Sequence, residues 1–268
     1  MHVKLINGCH IHYRCKGVNG APQVVFANSL GTDSRIWDGV LDRLGGGIES
    51  ICYDKRGHGL SDAPPAPYTL DDHIGDLEGL LDQLEVEQAV ICGISVGGMI
   101  ALGLAARRPD MVRGLILCDT AHKIGSKALW NQRIDEIRRH GMEGIADAVL
   151  ERWFSKSFRQ ALPEAVAGWR NMLIRTPVEG YIGTCAALRD ADLTAAAKSL
   201  KRPVHCLCGS EDDATPPELV QSMGALIAGS RFELVDGAGH LPCIEAADPF
   251  AAAVRRFIEE TNRDENNP

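Results

Sequence analysis

Short apolar segments alternate along the first half of the chain with longer segments whose apolar residues have helical spacing. The apolar segments lie at 24–26, 50–53, 89–94 and 114–118, and the helical segments between them at about 34–44, 70–84 and 96–107. This alternation is typical of βαβ units. It predicts an α/β fold with a mostly parallel central sheet flanked by helices.

The N-terminal pattern differs from the rest. Two runs, at 3–6 and 9–15, alternate apolar and polar residues, with His10 and His12 set against Ile11. Alternation with a period of two is typical of an antiparallel strand with one solvated face. We therefore expect an antiparallel edge here, with both histidines facing solvent.

The strand pattern stops at about residue 122 and resumes near 204. The segment between contains only helix-like stretches, near 126–140, 142–153, 163–175 and 178–190. Strand-like runs follow at 204–208 and 231–235, then a helix at about 247–260 and a polar tail, 261–268, that we expect to fray. The chain is thus expected to have an α/β core at 1–121 and 202–268, interrupted by a helical cap at 122–201.

Composition and charge exclude several classes. The formal net charge is −8, and the 28 Lys and Arg residues are scattered, which argues against nucleic acid or an anionic membrane as a partner. The nine cysteines, an odd number, lie mostly in apolar runs, so we interpret them as buried hydrophobic residues rather than a disulfide framework or metal site. No apolar N-terminal stretch resembles a signal peptide, so we expect a cytoplasmic location.

The strongest chemical signal is Gly93-Ile94-Ser95-Val96-Gly97, a G-x-S-x-G sequence between a predicted strand and a predicted helix. In that context a serine sits on a strained turn, and the flanking glycines avoid collisions with the adjacent strand and helix. The helix N-terminus also brings the Val96 N–H next to the reacting carbonyl. Ser95 is therefore the candidate nucleophile.

A serine hydroxyl needs a base, and this motif predicts an acid and then a histidine later in the chain. His240 follows a strand in a glycine-rich loop and is the candidate base. The acid is one of three adjacent residues after the preceding strand, Glu211, Asp212 or Asp213, of which we favour Asp212.

A second oxyanion donor is expected from the loop that follows the strand at 24–26. That loop contains Asn28-Ser29-Leu30-Gly31, and the Leu30 N–H is the candidate.

The chain resembles an α/β-hydrolase over its whole length, and within that superfamily it closely resembles the 3-oxoadipate enol-lactonases of the β-ketoadipate pathway. The segments that carry the resemblance are Asn28–Asp33 with Trp37, Tyr53–Gly59, Cys92–Met99, Asp119–Ala121, Lys123–Gly125, Ala148–Phe154, Glu179–Tyr181 and Cys185–Ala187. Ile94 and Val96 depart from the Leu and Met that are common in the family. The family's acid lies three residues after a glycine, which corresponds to Asp212.

The resemblance implies hydrolysis of 3-oxoadipate enol-lactone to 3-oxoadipate through an acyl-enzyme, without metal or organic cofactor. Such a lactone carries a free carboxylate, so a cation should face the site. Arg133 borders a helical stripe that includes Trp130, and it is the candidate unless it reaches solvent or pairs with a surface acid. Arg175 and Arg189 come next. Trp130 and Trp153 are expected to line the pocket, although aromatic residues in a small cap often serve packing alone.

Three alternatives stay open from the sequence. Another hydrolase on the same scaffold, such as a general carboxylesterase, a carbon–carbon bond hydrolase or a cofactor-free haloperoxidase-like enzyme, would have the same fold. A non-catalytic relative that only binds a ligand is disfavoured by the intact set of Ser95, Asp212 and His240. The oligomeric state is not predicted.

Overall fold

The architecture was obtained as a computed structural model that describes residues 1–18 and 20–266. In that part of the chain one sheet contains eight strands, in the order β1-β2-β4-β3-β5-β6-β7-β8. The strands are β1 (His2–Ile6), β2 (Cys9–Lys16), β3 (Gln23–Ala27), β4 (Glu49–Tyr53), β5 (Ala89–Ile94), β6 (Val112–Cys118), β7 (Val204–Gly209) and β8 (Arg231–Val235). The fold is that of an α/β-hydrolase, as predicted.

Strand direction divides the sheet into two parts. β1 pairs with β2, and β2 with β4, in antiparallel orientation, whereas every pair from β4 to β8 is parallel. Strands β3, β5 and β6 are buried along nearly their whole length. Strands covered on both faces have continuous apolar sequences, which is the pattern that identified them.

The helices have the following bounds in the described residues. They are α1 (Asp38–Leu44), α2 (Leu70–Gln83), α3 (Val96–Arg107), α4 (Lys127–His140), α5 (Glu143–Trp153), α6 (Lys156–Ala161), α7 (Pro163–Ile174), α8 (Val178–Asp190), α9 (Thr194–Ser199), α10 (Pro217–Gly224), α11 (Pro242–Glu245) and α12 (Ala247–Asn266), with short 3₁₀ turns at Ser34–Trp37 and Gly45–Gly47. Helices α4 to α9 all lie between β6 and β7 in the chain.

The helices between β6 and β7 do not all pack in the same place. Helix α4 packs against α5 and α8, and α5 packs against α7. The sequence pattern did not predict helix α9. It packs instead against α3, a helix that itself packs on strands β3, β5 and β6 of the central sheet. The last helical turn before β7 is therefore attached to the sheet-bearing part of the fold.

The expectation for His12 is wrong. Its side chain is buried, and its Nδ1 lies 2.8 Å from Asp54 Oδ2, whereas His10 is exposed and lies beside Asp62. The loop after β4 covers this face of β2, because the Ser61 hydroxyl accepts a hydrogen bond from the His12 N–H. Alternation along one strand does not reveal what a later loop places on it.

The expected boundary of the C-terminal helix is also wrong. Helix α12 continues to Asn266 instead of ending near residue 260, and Thr261 is buried with its hydroxyl donating to the Phe257 carbonyl. A buried threonine anchors the helical turn that we expected to fray. Positions 267 and 268 lie outside the described residues.

None of the helices in the described residues is long and apolar enough to cross a membrane. The long uncharged run at 89–106 divides into strand β5 and helix α3, as its glycines and its change of composition indicated.

A buried ion pair ties the loop after β4 to helix α2. Arg56 donates from Nε and Nη2 to the two carboxylate oxygens of Asp76, at 2.6 and 2.7 Å, and the side chains are only 10% and 1% exposed. Removing one partner of such a pair leaves an uncompensated buried charge.

We expect Arg56→Met to lower the free energy of unfolding by about 3–5 kcal/mol, measured by urea denaturation. Arg43→Met is the matched control, since Arg43 pairs with Asp248 at the surface, and it should cost at most about 1 kcal/mol. Equal losses of unfolding free energy in the two variants would show that burial does not determine how much the Arg56–Asp76 pair contributes to stability.

Candidate active site

Ser95 occupies a strained turn between β5 and α3. Its backbone has φ 58° and ψ −122°, a region that residues with a side chain rarely adopt. Two hydrogen bonds hold it there: the Ser95 N–H donates to the Cys118 carbonyl, and the Thr120 hydroxyl donates to the Ser95 carbonyl at 2.6 Å. The turn predicted from the motif is therefore present and is fixed by the end of β6.

The glycines on either side of Ser95 are required by close approach. A Cβ at Gly97 would lie 2.1 Å from the Ala27 carbonyl oxygen, and one at Gly93 would lie 2.3 Å from the Gly97 carbonyl oxygen. No side chain fits at such distances, so the motif permits α3 to start against the end of β3. This confirms the steric reason inferred from the sequence.

His240 and Asp212 meet beneath the cavity above Ser95. The His240 Nδ1 lies 2.9 Å from Asp212 Oδ2, and both side chains are almost completely buried. Glu211 and Asp213, the other candidates for the acid, are exposed. A carboxylate accepts only, so Nδ1 carries the proton and Nε2 is the basic nitrogen.

Asp212 is held as an ionised carboxylate. Burial raises its pKa, but the charge of His240 and its hydrogen bonds outweigh burial and hold the pKa well below the usual range. Its Oδ1 accepts from the Ala214 and Thr215 backbone N–H groups at 2.7 and 3.1 Å, and the Thr215 hydroxyl donates to Oδ2 at 2.6 Å. The lone pairs of Asp212 are thus almost fully used.

A second buried carboxyl, Asp119, lies beside Asp212 and was not among the predicted site residues. It follows β6, has φ 44°, and its Oδ1 accepts from the Gly209 N–H at 2.9 Å. Burial and the neighbouring charge of Asp212 raise the pKa of Asp119 well above its usual range. Two buried carboxyls this close together do not both ionise readily, and Asp119, whose pKa is raised, is the one that retains its proton more tightly.

The sequence contained a signal for Asp119. It is an acidic residue directly after a buried parallel strand, the same position relative to β6 that Asp212 approaches relative to β7. That position indicated Asp212 as the acid, whereas Asp119 appeared only among the residues that carry the family resemblance.

These two carboxyls and Cys208 are the described residues whose grouping could hold a metal ion, because their ligand atoms all lie within 4.8 Å of one another. Hydrogen bonds within the protein account for these carboxyls without a metal. The oxygens of Asp212 accept from Ala214, Thr215 and His240, and Asp119 Oδ1 accepts from the Gly209 N–H. The cluster has the properties of a hydrogen-bonded support for His240.

The predicted oxyanion donors lie on either side of Ser95. Val96 is the first residue of α3, where an N–H has no carbonyl partner within the helix. Leu30 lies in the loop after β3 and lines the same cavity as Ser95 and His240. The two N–H groups come from separate elements that the sheet brings to one edge.

The cavity above Ser95 has a volume of about 90 Å³ and is partly open to solvent. Its floor consists of loops that follow strands, and its walls come from α4, α5 and α8. Among its lining residues are the three predicted from the sequence, Trp130, Arg133 and Trp153, together with Val149, Arg152, Tyr181 and Leu188. The structure thus brings Ser95, His240, Leu30 and all three predicted cap residues to one cavity.

Two arginines in the cavity wall, Arg133 and Arg152, have no carboxylate partner among the residues that the structure describes. The other cations considered from sequence are elsewhere: Arg175 lines a separate cavity, and Arg189 binds Asp190 at 2.6 Å. Sequence reasoning missed Arg152. It stands three residues after the cavity-lining Val149, so the test of helical spacing that selected Arg133 would have found it.

The loop that carries His240 is tied to the helices above it. Glu245 accepts from the Gly239 N–H at 2.9 Å and from the Ser155 hydroxyl at 2.6 Å, and the Leu241 N–H donates to the Trp153 carbonyl. The position of the imidazole therefore depends on the end of α5 as well as on the sheet.

Comparison with known proteins agrees with this geometry. Residues 24–253 match the profile of the alpha/beta hydrolase family. The chain is 33% identical to 3-oxoadipate enol-lactonase 2 of Acinetobacter baylyi, an alignment that covers 94% of each protein. It is 29% identical to a 2-hydroxymuconate semialdehyde hydrolase of a Pseudomonas species, over 84% of this chain and 82% of that protein.

A solved structure is also similar. The crystal structure of the enol-lactonase from Burkholderia xenovorans LB400 superimposes with a TM-score of 0.93 at 38% identity, covering 96% of this chain and 100% of the other. The family profile spans most of this chain, and the similarity to the lactonase of Acinetobacter baylyi extends over nearly all of it. The protein therefore belongs to the α/β-hydrolase family.

Proposed function

We propose that this protein hydrolyses 3-oxoadipate enol-lactone to 3-oxoadipate, a reaction of aromatic-compound catabolism, with Ser95, His240 and Asp212 as its catalytic triad. The observation that carries the proposal is a cavity in which this triad is accompanied by two arginines without carboxylate partners. An ester that is also an anion fits both features. The relatives named enol-lactonase support this choice of substrate.

In the first step the His240 Nε2 removes the proton of Ser95 while the serine oxygen attacks the lactone carbonyl carbon. The carbonyl oxygen becomes an oxyanion, which accepts hydrogen bonds from the Leu30 and Val96 N–H groups. The positive end of α3 favours the same negative charge. Asp212 keeps Nδ1 protonated and stabilises the imidazolium that forms.

Collapse of the oxyanion breaks the bond to the ring oxygen, and the imidazolium donates its proton to that oxygen. The leaving group is an enol, which converts to the ketone, so ring closure does not readily reverse the step. Water then loses a proton to His240 and attacks the acyl-enzyme. The acid product leaves, and Ser95 recovers its proton. The mechanism calls for no metal or organic cofactor.

Asp119 contributes to this mechanism through Asp212. A protonated Asp119 donates to the triad acid without adding a second negative charge to the buried site. The pKa of Asp119 is raised and that of the adjacent Asp212 is lowered. Asp119 can therefore act as a hydrogen-bond donor while Asp212 carries the negative charge. We infer that this arrangement keeps Asp212 ionised and correctly oriented.

Recognition of the substrate carboxylate is assigned to Arg133, with Arg152 as the second cation. The chain has a net charge of −8, so an anionic substrate needs a local positive field to enter. Trp130 and Trp153 supply apolar surface to the ring in the same cavity. We propose that residues 122–201 act as a cap that selects the substrate, above a core formed by 1–121 and 202–268.

The direct test is an assay of enol-lactone hydrolysis beside a panel of neutral esters and a substrate of carbon–carbon bond hydrolases. We expect the anionic lactone to have the highest kcat/KM. If a neutral ester or the carbon–carbon substrate is turned over far more efficiently, the lactonase assignment is wrong although the family is not. Labelling of Ser95 by a fluorophosphonate separates an enzyme from a relative that only binds ligands.

We expect Ser95→Ala and His240→Ala each to lower kcat by at least about a thousandfold on any ester, because nucleophile and base act as a unit. The double variant should be about as slow as each single one. Steady-state kinetics with unchanged circular dichroism provides the measurement. Normal turnover by Ser95→Ala would eliminate the serine mechanism.

The three acids near His240 should respond differently to replacement by asparagine. Asp212→Asn removes the charge and should reduce kcat by orders of magnitude. Asp119→Asn replaces a neutral carboxyl by a neutral amide that can still donate, so kcat should fall by less than about tenfold. Asp213→Asn, at an exposed position, is the control. Loss of activity in Asp213→Asn alone would place the acid one residue later.

Arg133→Ala should reduce kcat/KM for the enol-lactone by about ten- to a hundredfold, since a charge-assisted hydrogen bond contributes about 1.5–3 kcal/mol. A small neutral ester offers no carboxylate, so its rate should hardly change. Arg139→Ala, an exposed arginine on the same helix, is the matched control. If only Arg152→Ala weakens lactone hydrolysis, the carboxylate site belongs to Arg152.

A further inference from the structure

The carbonyl of Ser29 is surrounded by hydrogen-bond donors. It accepts from the Lys55 ammonium at 2.5 Å, from the Thr32 hydroxyl at 2.9 Å and from the Thr32 backbone N–H at 3.3 Å. A carbonyl oxygen has two lone pairs, so three donors, one of them charged, exceed what structure alone requires. The mechanism above uses neither Lys55 nor Thr32.

This carbonyl shares its peptide bond with the Leu30 N–H, the proposed oxyanion donor. The peptide group is planar and resonance-stabilised, so hydrogen bonds to its oxygen draw electron density away from its nitrogen. The N–H then becomes a stronger donor, as in chains of cooperative hydrogen bonds. The same bonds fix the orientation of the peptide plane, and with it the direction of the N–H.

Lys55 is the charged member of this set and is isolated from water. It is 1% exposed, and burial lowers its pKa to about 7, although Asp54 and Asp33 counteract part of that effect. The neighbouring rings of His58 and His73 have pKa values lowered by burial and by the charge of Lys55. Both rings are neutral near pH 7, so Lys55 is the group here whose charge changes in that range.

The rest of the loop has anchors besides Lys55, whose ammonium also donates to the Thr32 carbonyl at 3.4 Å. The Asn28 side-chain amide donates to the Thr32 carbonyl at 2.7 Å, and the Gly31 N–H donates to His58 Nε2 at 3.0 Å. Loss of the Lys55 charge therefore changes the polarity of the Ser29–Leu30 peptide more than the path of the chain.

We propose that Lys55 is a positioning residue of the oxyanion hole: its ammonium orients and polarises the Ser29–Leu30 peptide, so that the hole is strongest while Lys55 is protonated. The sign follows directly. Below the pKa of Lys55 the charge is present, and as the pH rises through about 7 the charge and its contribution are lost. A neutral amine still donates, so the hole weakens without disappearing.

The inference rests on the serine mechanism proposed above but not on the identity of the lactone, and it is tested with 4-nitrophenyl acetate. We expect the kcat of the wild-type protein to fall as the pH rises through about 7 and Lys55 loses its proton. Lys55→Gln retains a neutral donor, and it should lower kcat about tenfold at pH 6.5, leave KM unchanged and abolish the fall at higher pH. Full removal of one oxyanion donor would cost about 10²–10³.

Lys123→Gln is the matched control, because Lys123 pairs with Asp192 at the surface, and its rate and pH profile should be those of the wild type. Titration with a fluorophosphonate counts active sites, so that a smaller folded fraction of Lys55→Gln is not mistaken for a lower kcat.

A second measurement does not depend on turnover. The sequence contains two Ser–Leu pairs, Ser29–Leu30 and Ser199–Leu200. Cell-free labelling with carbonyl-¹³C serine and ¹⁵N leucine therefore leaves two cross-peaks in an HNCO spectrum. We expect the Ser29–Leu30 peak to titrate with a midpoint near pH 7 and the Ser199–Leu200 peak at the end of α9 to stay fixed. In Lys55→Gln we expect the first peak to lose this titration.

The possible failures are distinguishable. If Ser95→Ala hydrolyses the ester normally, the proposed function is wrong whatever Lys55 does. If Ser95→Ala is inactive but Lys55→Gln has the kcat and the pH profile of the wild type, the role of Lys55 is overturned while the serine mechanism stands. A Ser29–Leu30 peak that titrates identically in wild type and Lys55→Gln overturns it as well.

Discussion

Parallel pairing of strands β3 to β8 determines where the polar groups of this protein meet. In a parallel sheet all carboxyl ends reach the same edge, so residues far apart in the chain come within a few ångströms of each other. Ser95 follows β5, Asp119 follows β6, Asp212 lies just beyond β7, and His240 lies beyond β8. Each strand contributes a different function, and none of these groups has to be placed by a flexible loop alone.

This convergence places several ionisable groups in a site with little water. Like charges there would repel each other strongly, and the pKa values of some of the groups are shifted so that the neutral form is favoured. Asp119 remains protonated beside the ionised Asp212, because two negative charges so close together and so deeply buried are unfavourable. Glu245, which is half-buried, has a pKa raised by burial and accepts from backbone and hydroxyl donors. The charge that remains is concentrated on Asp212, next to His240.

The helices above the sheet have a separate task. They supply apolar walls and the two arginines without carboxylate partners, whereas the sheet edge supplies the reactive groups. Contacts such as that of Glu245 with Ser155 join the two parts at the loop of His240. A substitution at this junction would thus affect the geometry of catalysis and the fit of the substrate together. Such coupling is expected where an inserted segment closes a cavity over residues carried by the sheet.

The sequence by itself determined the strand and helix alternation and the strained turn at Ser95, because these depend on local periodicity and on a motif whose residues are adjacent. It also predicted the order of nucleophile, acid and base along the chain. It also led to Arg133, through helical spacing. It did not reveal that His12 is buried, that Asp119 supports Asp212, that Arg152 faces the cavity or that Lys55 reaches the Ser29 carbonyl. Those features depend on which side chains meet across the fold, and on burial that changes their protonation, so only the tertiary structure decided them.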